Sequence, residues 1–468
     1  MAVTLQTILR QYGRREEAPL LRRKIREELR RKRIRMVVID DDPTGIQTVH
    51  GCLLLTEITA ARVAEALDDA CPFFYLLVNS RAMTEEEARR VVARAVEVTL
   101  EANRERGYNL LFVSRSDSTL RGHFPAESDT MGEVLRRAGF EPLMPTLFVP
   151  AFFEAGRMTI DGWHYMQQGE ELVPTSETEF ARDNVFAYAN AYLPDYIVEK
   201  CRGAIRKEDV LHLTLETMRT TDLAAQLRDN RAKRFISADA FDYRDLARLA
   251  MAVLAQFEQG RKHQCAVVRS SSSLPRALSG IEEQPYVKAE KSDARGVVIV
   301  GSHVKKSTEQ LEALLTLDGT CGVEIDVARI LADDAALLPE LMARAEALYN
   351  KGIVPVLYTS RREVRIDDVA ARQALGEKIS RFLVEAVRAL PFRPDFLISK
   401  GGITSHDILT HSLEVKTARV AGQAAAGIPT LKTTTESPFP ELLYVIFPGN
   451  VGSVESLREV VERIRNKP

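Results

Sequence analysis

Several short stretches of this chain gather the residue types that chemistry on a small polar molecule requires. The run Asp40-Asp41-Asp42-Pro43-Thr44-Gly45 follows directly on the apolar residues Met36-Val37-Val38-Ile39. Phosphoryl transfer to a hydroxyl needs a carboxylate that orients the nucleophile and accepts its proton, often with another acid near a metal ion. Acids clustered at a strand end can supply both. The plainer reading is an N-cap for the next helix. A cap uses one such residue, however, and adjacent carboxylates repel one another unless a ligand or metal offsets the repulsion.

A second stretch, Ser116-Asp117-Ser118-Thr119-Leu120-Arg121-Gly122-His123, packs an acid, hydroxyls, a guanidinium and a glycine together. Arg121 can grip a carboxylate through two N–H groups, and Asp117 can accept from substrate hydroxyls. That inventory suits a polyhydroxylated carboxylic acid; a capped turn with a surface arginine is the alternative. A glycine and an arginine recur in Pro150-Ala151-Phe152-Phe153-Glu154-Ala155-Gly156-Arg157, ahead of Asp161-Gly162-Trp163-His164. Trp163, the only tryptophan, reads as a packing residue, and His164 alone reads as a satisfied histidine.

The second half of the chain carries glycine-rich loops. Gly301-Ser302-His303-Val304-Lys305-Lys306-Ser307-Thr308 lies between a strand-like and a helical stretch, where backbone N–H groups can cradle phosphates. It is not a Walker A loop, because the second glycine of that motif is missing. Lys400-Gly401-Gly402-Ile403-Thr404-Ser405 and Pro448-Gly449-Asn450-Val451-Gly452 each follow an apolar run. Their glycines allow close backbone approach to a ligand, and Thr404 and Asn450 offer hydrogen bonds. Each of these two loops alone reads more readily as a turn that needs glycine only for its backbone angles; together with the Gly301 loop they make a nucleotide cleft. Gly427-Ile428-Pro429 is either a further wall or a turn. No G-x-G-x-x-G follows a strand, which weakens a dinucleotide reading.

Elements must place these loops. Apolar runs at 36–39, 73–78, 110–113 and 148–151 alternate with helical stretches such as 85–101. The same alternation recurs at 297–300, 354–358, 396–399 and 443–447, with helical stretches at 310–315, 335–349 and 367–390. This is the signature of βαβ units on parallel sheets, whose ligands sit beyond the carboxyl ends of the strands. Residues 271–295, opening on serines and short of apolar periodicity, read as a linker. The expected division is a charged helical leader at 1–35, a first domain at 36–275, a linker at 276–295 and a second domain at 296–468. The basic leader reads as a solvated helix face with i,i+4 charge pairs or an oligomer contact.

Composition narrows the classes. The chain has 468 residues, 45% hydrophobic and 28% charged, with a formal net charge of −2. That is ordinary for a globular protein of two or three domains, and it gives no global field favouring nucleic acid or membrane. The five cysteines are scattered, without a C-x-x-C pair, which fits a reducing compartment and argues against a structural zinc site. No apolar run reaches a membrane span and no secretory leader is evident, so the cytoplasm is expected.

These motifs, in this order, resemble the four-carbon acid sugar kinase family, some of whose members carry the older label of type III effector Hrp-dependent outer protein. The resemblance runs from residue 36 to about 460. It rests on Asp41-Asp42-Pro43-Thr44-Gly45, Asp117 to Gly122, Pro150 to Arg157, Asp161 to Tyr165 and Thr178 to Asp183. In the second half it rests on Gly301-Ser302, Thr308 to Gln310, Gly401 to Thr404 and Gly427 to Pro429. Two positions depart from the family pattern. Pro43 stands where an apolar residue is common, and the 447–452 stretch lacks the lysine and serine many members carry there. They suggest a subgroup whose substrate need not be threonate.

The resemblance implies two α/β domains with mainly parallel sheets and the active site in the interdomain cleft. It implies ATP-dependent phosphorylation of a hydroxyl on a small acid such as threonate or erythronate. Asp41 or Asp42 would be the base. Asp117, Ser118, Arg121 and Arg157 would hold the acid, and Gly301, Ser302, Thr308, Gly401, Gly402, Thr404, Gly449, Asn450 and Gly452 would hold ATP. Mg²⁺ is expected on the phosphates and water, with no protein ligand set. A homodimer, a kinase for another sugar acid, and a non-catalytic sensor or a nucleotide-dependent ligase using the same loops remain open alternatives.

Overall fold

A computed structural model describes residues 3–15, 19–302, 304–361, 369–449 and 451–465. Two compact units divide the chain, Met1–Glu283 and Gln284–Pro468.

The first unit is built on a parallel sheet. Its strands are β1 (Ile34–Asp40), β2 (Leu53–Leu55), β3 (Phe73–Leu77), β4 (Asn109–Arg115), β5 (Thr146–Val149), β6 (Val210–Leu213), β7 (Phe235–Ala238) and β8 (Cys265–Ser270). They lie side by side as β6-β7-β5-β8-β4-β1-β3-β2. Every neighbouring pair is parallel. Helices cover both faces, which is why the central strands read as unbroken apolar runs rather than alternating ones. Val37, Ile39, Phe74, Leu76, Phe112 and Val267 pack on one face under Val63, Val92, Val96, Met131 and Leu135 of three helices. One of these helices, Glu85–Asn103, starts with a capping box in which Thr84 and Glu87 satisfy each other's backbone N–H groups.

The leader contributes the helix Pro19–Arg31, with Ile25 and Leu29 buried. It packs against the helix Tyr243–Ala255. Some of its basic residues make local pairs, such as Arg23–Glu27 at 2.8 Å and Arg31–Glu28 at 2.6 Å, while Arg26 reaches the Gly280 carbonyl and, at 2.9 Å, Glu282. A small antiparallel sheet, unforeseen in the sequence, joins Val3–Thr4, Glu171–Pro174, Trp163–Gln168 and Arg157–Ile160 in that order.

The expected linker starts later than the serine run suggests. Residues 273–279 form a wholly buried helix after β8. Ser271, Ser272 and Ser273 are all buried. Small hydroxyl side chains fit at this crowded strand end: Phe153 N–H donates to Ser273 Oγ at 3.0 Å, and Arg115 Nη2 donates to Ser272 Oγ at 3.3 Å. Chain without helix or strand runs from 281 to 295.

The second unit has strands β9 (Gly296–Val300), β10 (Thr320–Ile325), β11 (Val354–Thr359), β12 (Phe396–Lys400), β13 (Thr417–Ala425), β14 (Ile428–Thr433) and β15 (Leu443–Phe447). Their order is β13-β14-β15-β12-β9-β11-β10. Pairing is antiparallel from β13 to β15 and parallel beyond. Gly427, at φ 72°, makes the β13–β14 hairpin turn, so Gly427-Ile428-Pro429 is a turn leading into a strand. Val298, Val300, Ile398 and Val445 pack with Leu311, Leu314, Val460 and Ile464 of two helices. Among the described residues, no helix is long and apolar enough to cross a membrane.

Candidate functional site

In the first unit the polar clusters meet at the carboxyl ends of β1, β3, β4 and β8. The three aspartates after β1 have three different environments. Asp40 is fully buried and accepts from Arg115 Nη1 at 3.0 Å. Its second oxygen, Oδ2, has no hydrogen-bond partner among the described residues. Burial pushes its carboxyl up to about 7, against the pull of Arg115. Gly45 is required here, because a Cβ at that position would overlap the Asp40 carboxylate.

Asp41 is also buried. It takes Arg81 Nη2 at 2.6 Å and Nε at 3.1 Å in a forked pair, and Ser116 Oγ at 2.5 Å. Asp42 is the open member, with a side chain 19% exposed against 1% for Asp41 and 0% for Asp40. It accepts from Thr44 N–H at 2.8 Å and Thr44 Oγ1 at 2.5 Å, and Arg81 Nη1 lies 3.4 Å away. Burial works to raise its carboxyl, but Arg81, Arg115 and the Thr44 bonds outweigh burial and hold it below the usual carboxylate value.

The Asp117–Gly122 turn folds over these acids. Leu120 adopts φ 66°, and Gly122 adopts φ 134° in a place where a Cβ would press on Ser116 Oγ and stand 3.3 Å from Asp41 Oδ2. Asp117 accepts from Arg121 Nε at 2.7 Å and also from Thr119 Oγ1. Burial raises its carboxyl, yet Arg121 and Arg81 prevail and keep it well below the ordinary range. The Arg121 guanidinium is thus largely occupied. It also lies 3.7 Å from Asp183 and 4.8 Å above the Phe180 ring.

Arg157 has more left to give. Its Nη1 donates to the Ala155 carbonyl, while its buried Nε has no partner among the described residues. Burial lowers its guanidinium from the ordinary value, opposed by Asp117. Ser118 is buried, and its carbonyl is pinned by His164 Nε2 at 2.7 Å; His164 Nδ1 meets Thr159 Oγ1 at 2.9 Å. Burial drops the imidazole to about 4, so His164 is a neutral brace. Trp163 is partly exposed and tilts against Tyr192 at 5.7 Å.

Sequence reasoning missed the cations that organise this cluster. Arg81 lies a few residues beyond β3 and Arg115 closes β4, and a charged residue after an apolar run was the available signal. Arg269, the last residue but one of Cys265–Ser270, bonds Glu127 and Ser114, with the Ser114 contact at 2.7 Å.

In the second unit, glycine loops follow β9, β12 and β15. A Cβ on Gly301 would overlap Thr404 Oγ1 and sit 2.8 Å from Leu383 Cδ1. Gly401, at φ 114°, has Ser302 Cβ within 3.3 Å of its own Cβ position. Ser302 Oγ meets Ser307 Oγ at 3.0 Å, and Ser307 reaches the Gly449 carbonyl at 3.5 Å. Ser307 therefore links the loops, whereas the Thr308 hydroxyl turns back to the Val304 carbonyl at 3.4 Å. Gly402 opens the short helix Gly402–Asp407. Gly452, at φ 86°, leaves no room for a Cβ beside Ser456, while open space surrounds the Cβ position of Gly449. Asn450 lies outside the described residues. Arg361 Nη1 donates to the Ser302 carbonyl at 2.7 Å. Lys400 is buried and donates to the Pro448 carbonyl at 2.9 Å.

A family model described as a sugar-binding N-terminal domain matches residues 36–278, and one described as a nucleotide-binding C-terminal domain matches residues 297–457. D-erythronate kinase of Heliobacterium modesticaldum is 28% identical over 308 residues, 63% of this chain. The aligned stretch spans 64% of that relative's length, short of two thirds. Two solved structures share the fold at 18% identity. One is a Haemophilus influenzae protein of the DUF1537 family, with a TM-score of 0.61 over 92% of this chain and 100% of that one. The other is a Salmonella typhimurium LT2 protein provisionally described as a tRNA synthase, with a TM-score of 0.65 over 92% and 99%.

Proposed function

The chain belongs to the four-carbon acid sugar kinase family, and on that premise we propose that it transfers the γ-phosphate of ATP to a hydroxyl of a small sugar acid such as erythronate or threonate. The observation that carries this reading is the separation of roles among the three aspartates. Asp42 alone is both ionised and open. It orients the acceptor hydroxyl and takes its proton as phosphorus is attacked. Asp41 is a positioning residue that fixes Arg81 and Ser116.

Arg157, with a free Nε, pairs the substrate carboxylate, and Asp117 and Ser118 meet its hydroxyls. Arg121 holds Asp117 in place. The loops bearing Gly301, Ser302, Gly401, Gly402, Thr404, Gly449 and Gly452 bring backbone close to the phosphates of ATP.

The acids of the first unit do not fit a resident Mg²⁺. Asp41 is already claimed by Arg81, and Asp42 faces the same guanidinium. No group of three or more His, Cys, Asp or Glu side chains is arranged to hold a metal among the described residues. Mg²⁺ belongs to this proposal as the ion carried by the nucleotide phosphates, and no step is assigned to it on the protein. A reaction that consumes ATP fits an enzyme of the cytoplasm.

The test is ADP release from Mg·ATP across a panel of four-carbon and related sugar acids. Release that depends on one acid, with phosphate recovered on that acid, supports the proposal. Folded protein that binds an acid and releases no ADP with any member would instead be a sensor.

A further inference from the structure

Lys400, the last residue of β12, is a buried cation with no carboxylate beside it among the described residues. Its Nζ donates to the backbone carbonyls of Pro448, at 2.9 Å, and Gly449, at 3.3 Å, and it lies 4.4 Å from the centre of the Phe447 ring. Among the described residues, the only titratable group whose charge acts on it is Lys306, on the helix Lys305–Leu315 after β9, and that charge repels. Burial is the larger influence, and the two together bring the ammonium down to about 7. Carbonyl dipoles and a ring face are weak compensation for an ammonium taken out of water, and an anion close by is what such a site lacks. Among the described residues outside its chain neighbours, nothing lies within 4 Å of the Cβ position of Gly449, whose carbonyl Lys400 holds, so the loop is open on that side.

We propose that Lys400 is the positioning cation of the nucleotide site: it holds the Pro448–Gly449 backbone by two carbonyls and takes a proton from solvent as the phosphates arrive. This rests on the nucleotide-binding reading of the second unit. An anion that favours the charged lysine must bind more weakly as that proton is removed, because the two equilibria are linked. Nucleotide affinity therefore falls as pH rises above about 7, while affinity for the sugar acid does not follow it.

The experiment is calorimetric titration of the full chain with ADP and Mg²⁺ at about pH 8, in two buffers of different ionisation enthalpy. The difference between the buffers reads out protons taken up. Wild type is expected to take up about one proton per nucleotide. Lys400→Met is expected to lose that uptake and to bind about 10- to 100-fold more weakly, as loss of a charge-assisted contact does. Lys400→Arg, which stays charged at every working pH, is expected to bind without uptake and without the pH dependence. Binding by wild type with no proton uptake overturns the proposal, whether or not the variants fold. Binding by folded wild type that is absent for ADP at any pH overturns the nucleotide reading itself.

Discussion

At the scale of single residues, the sequence shows three equivalent aspartates and the structure makes them unequal. Asp42→Asn should lower kcat by about 10²-fold with little change in melting temperature, because its partners are Thr44 and a distant Arg81 contact. Asp41→Asn should behave differently. It leaves Arg81 without its forked partner, so thermal denaturation should show a loss on the order of 3 kcal/mol beside any loss of activity. Equal stability in both variants would sink this division of labour. Arg157→Ala should raise KM for the acid by about 10- to 100-fold and leave KM for ATP unchanged, a split that steady-state kinetics reads directly. Sequence reading had put Arg121 first for this role. The type and neighbourhood of Arg121 were legible, but its pairing with Asp117 and Asp183 depends on a turn that brings distant residues together. No pattern of spacing encodes which guanidinium is left unpaired.

At the scale of elements, alternating apolar runs and helical periods were enough to read mainly parallel sheets with polar and glycine-rich loops at the strand ends. β1, β3, β4, β9, β11, β12 and β15 fall on runs visible in the sequence, with ends shifted by a few residues. The antiparallel strands 157–160 and 163–168 were not legible, since each is short and Gly162 between them looked like part of a binding motif. The serine run after β8 misled for the opposite reason: small polar residues signal linkers in general, but here they fill a crowded strand end. The turn over the acids gives a test of how far geometry governs the site. Gly122→Ala asks an L-residue to adopt φ 134° with its Cβ against Ser116 Oγ. The expected result is a stability loss of about 1–3 kcal/mol by chemical denaturation and a larger loss of acid binding. A fully active Gly122→Ala protein would show that the turn is not part of the site.

At the scale of the whole molecule, near-neutral charge leaves stability to buried groups rather than to overall repulsion. Asp40 is one such group. Its folded carboxyl sits near 7, above its unfolded value, so the stability it contributes is present below about pH 4 and is lost as pH rises through about 7. Comparing melting curves of wild type and Asp40→Asn from about pH 5 to 8 isolates this contribution. The expected result is a difference that shifts in favour of the variant as pH rises; a constant difference would mean Asp40 stays ionised throughout.

Sheet order in the first unit also has a bearing on how the protein is made. β8 runs between β4 and β5, yet it is the last strand of that sheet to leave the ribosome. Until Cys265–Ser270 has been translated, β4 and β5 each carry an edge of unmet N–H and C=O groups, the kind that recruits other nascent chains. At cellular rates of translation that exposure lasts on the order of ten seconds. Completion of this half is thus timed by translation rather than by local folding propensity, and the yield of protein in a cell should depend on chaperones that shield bare strand edges during synthesis.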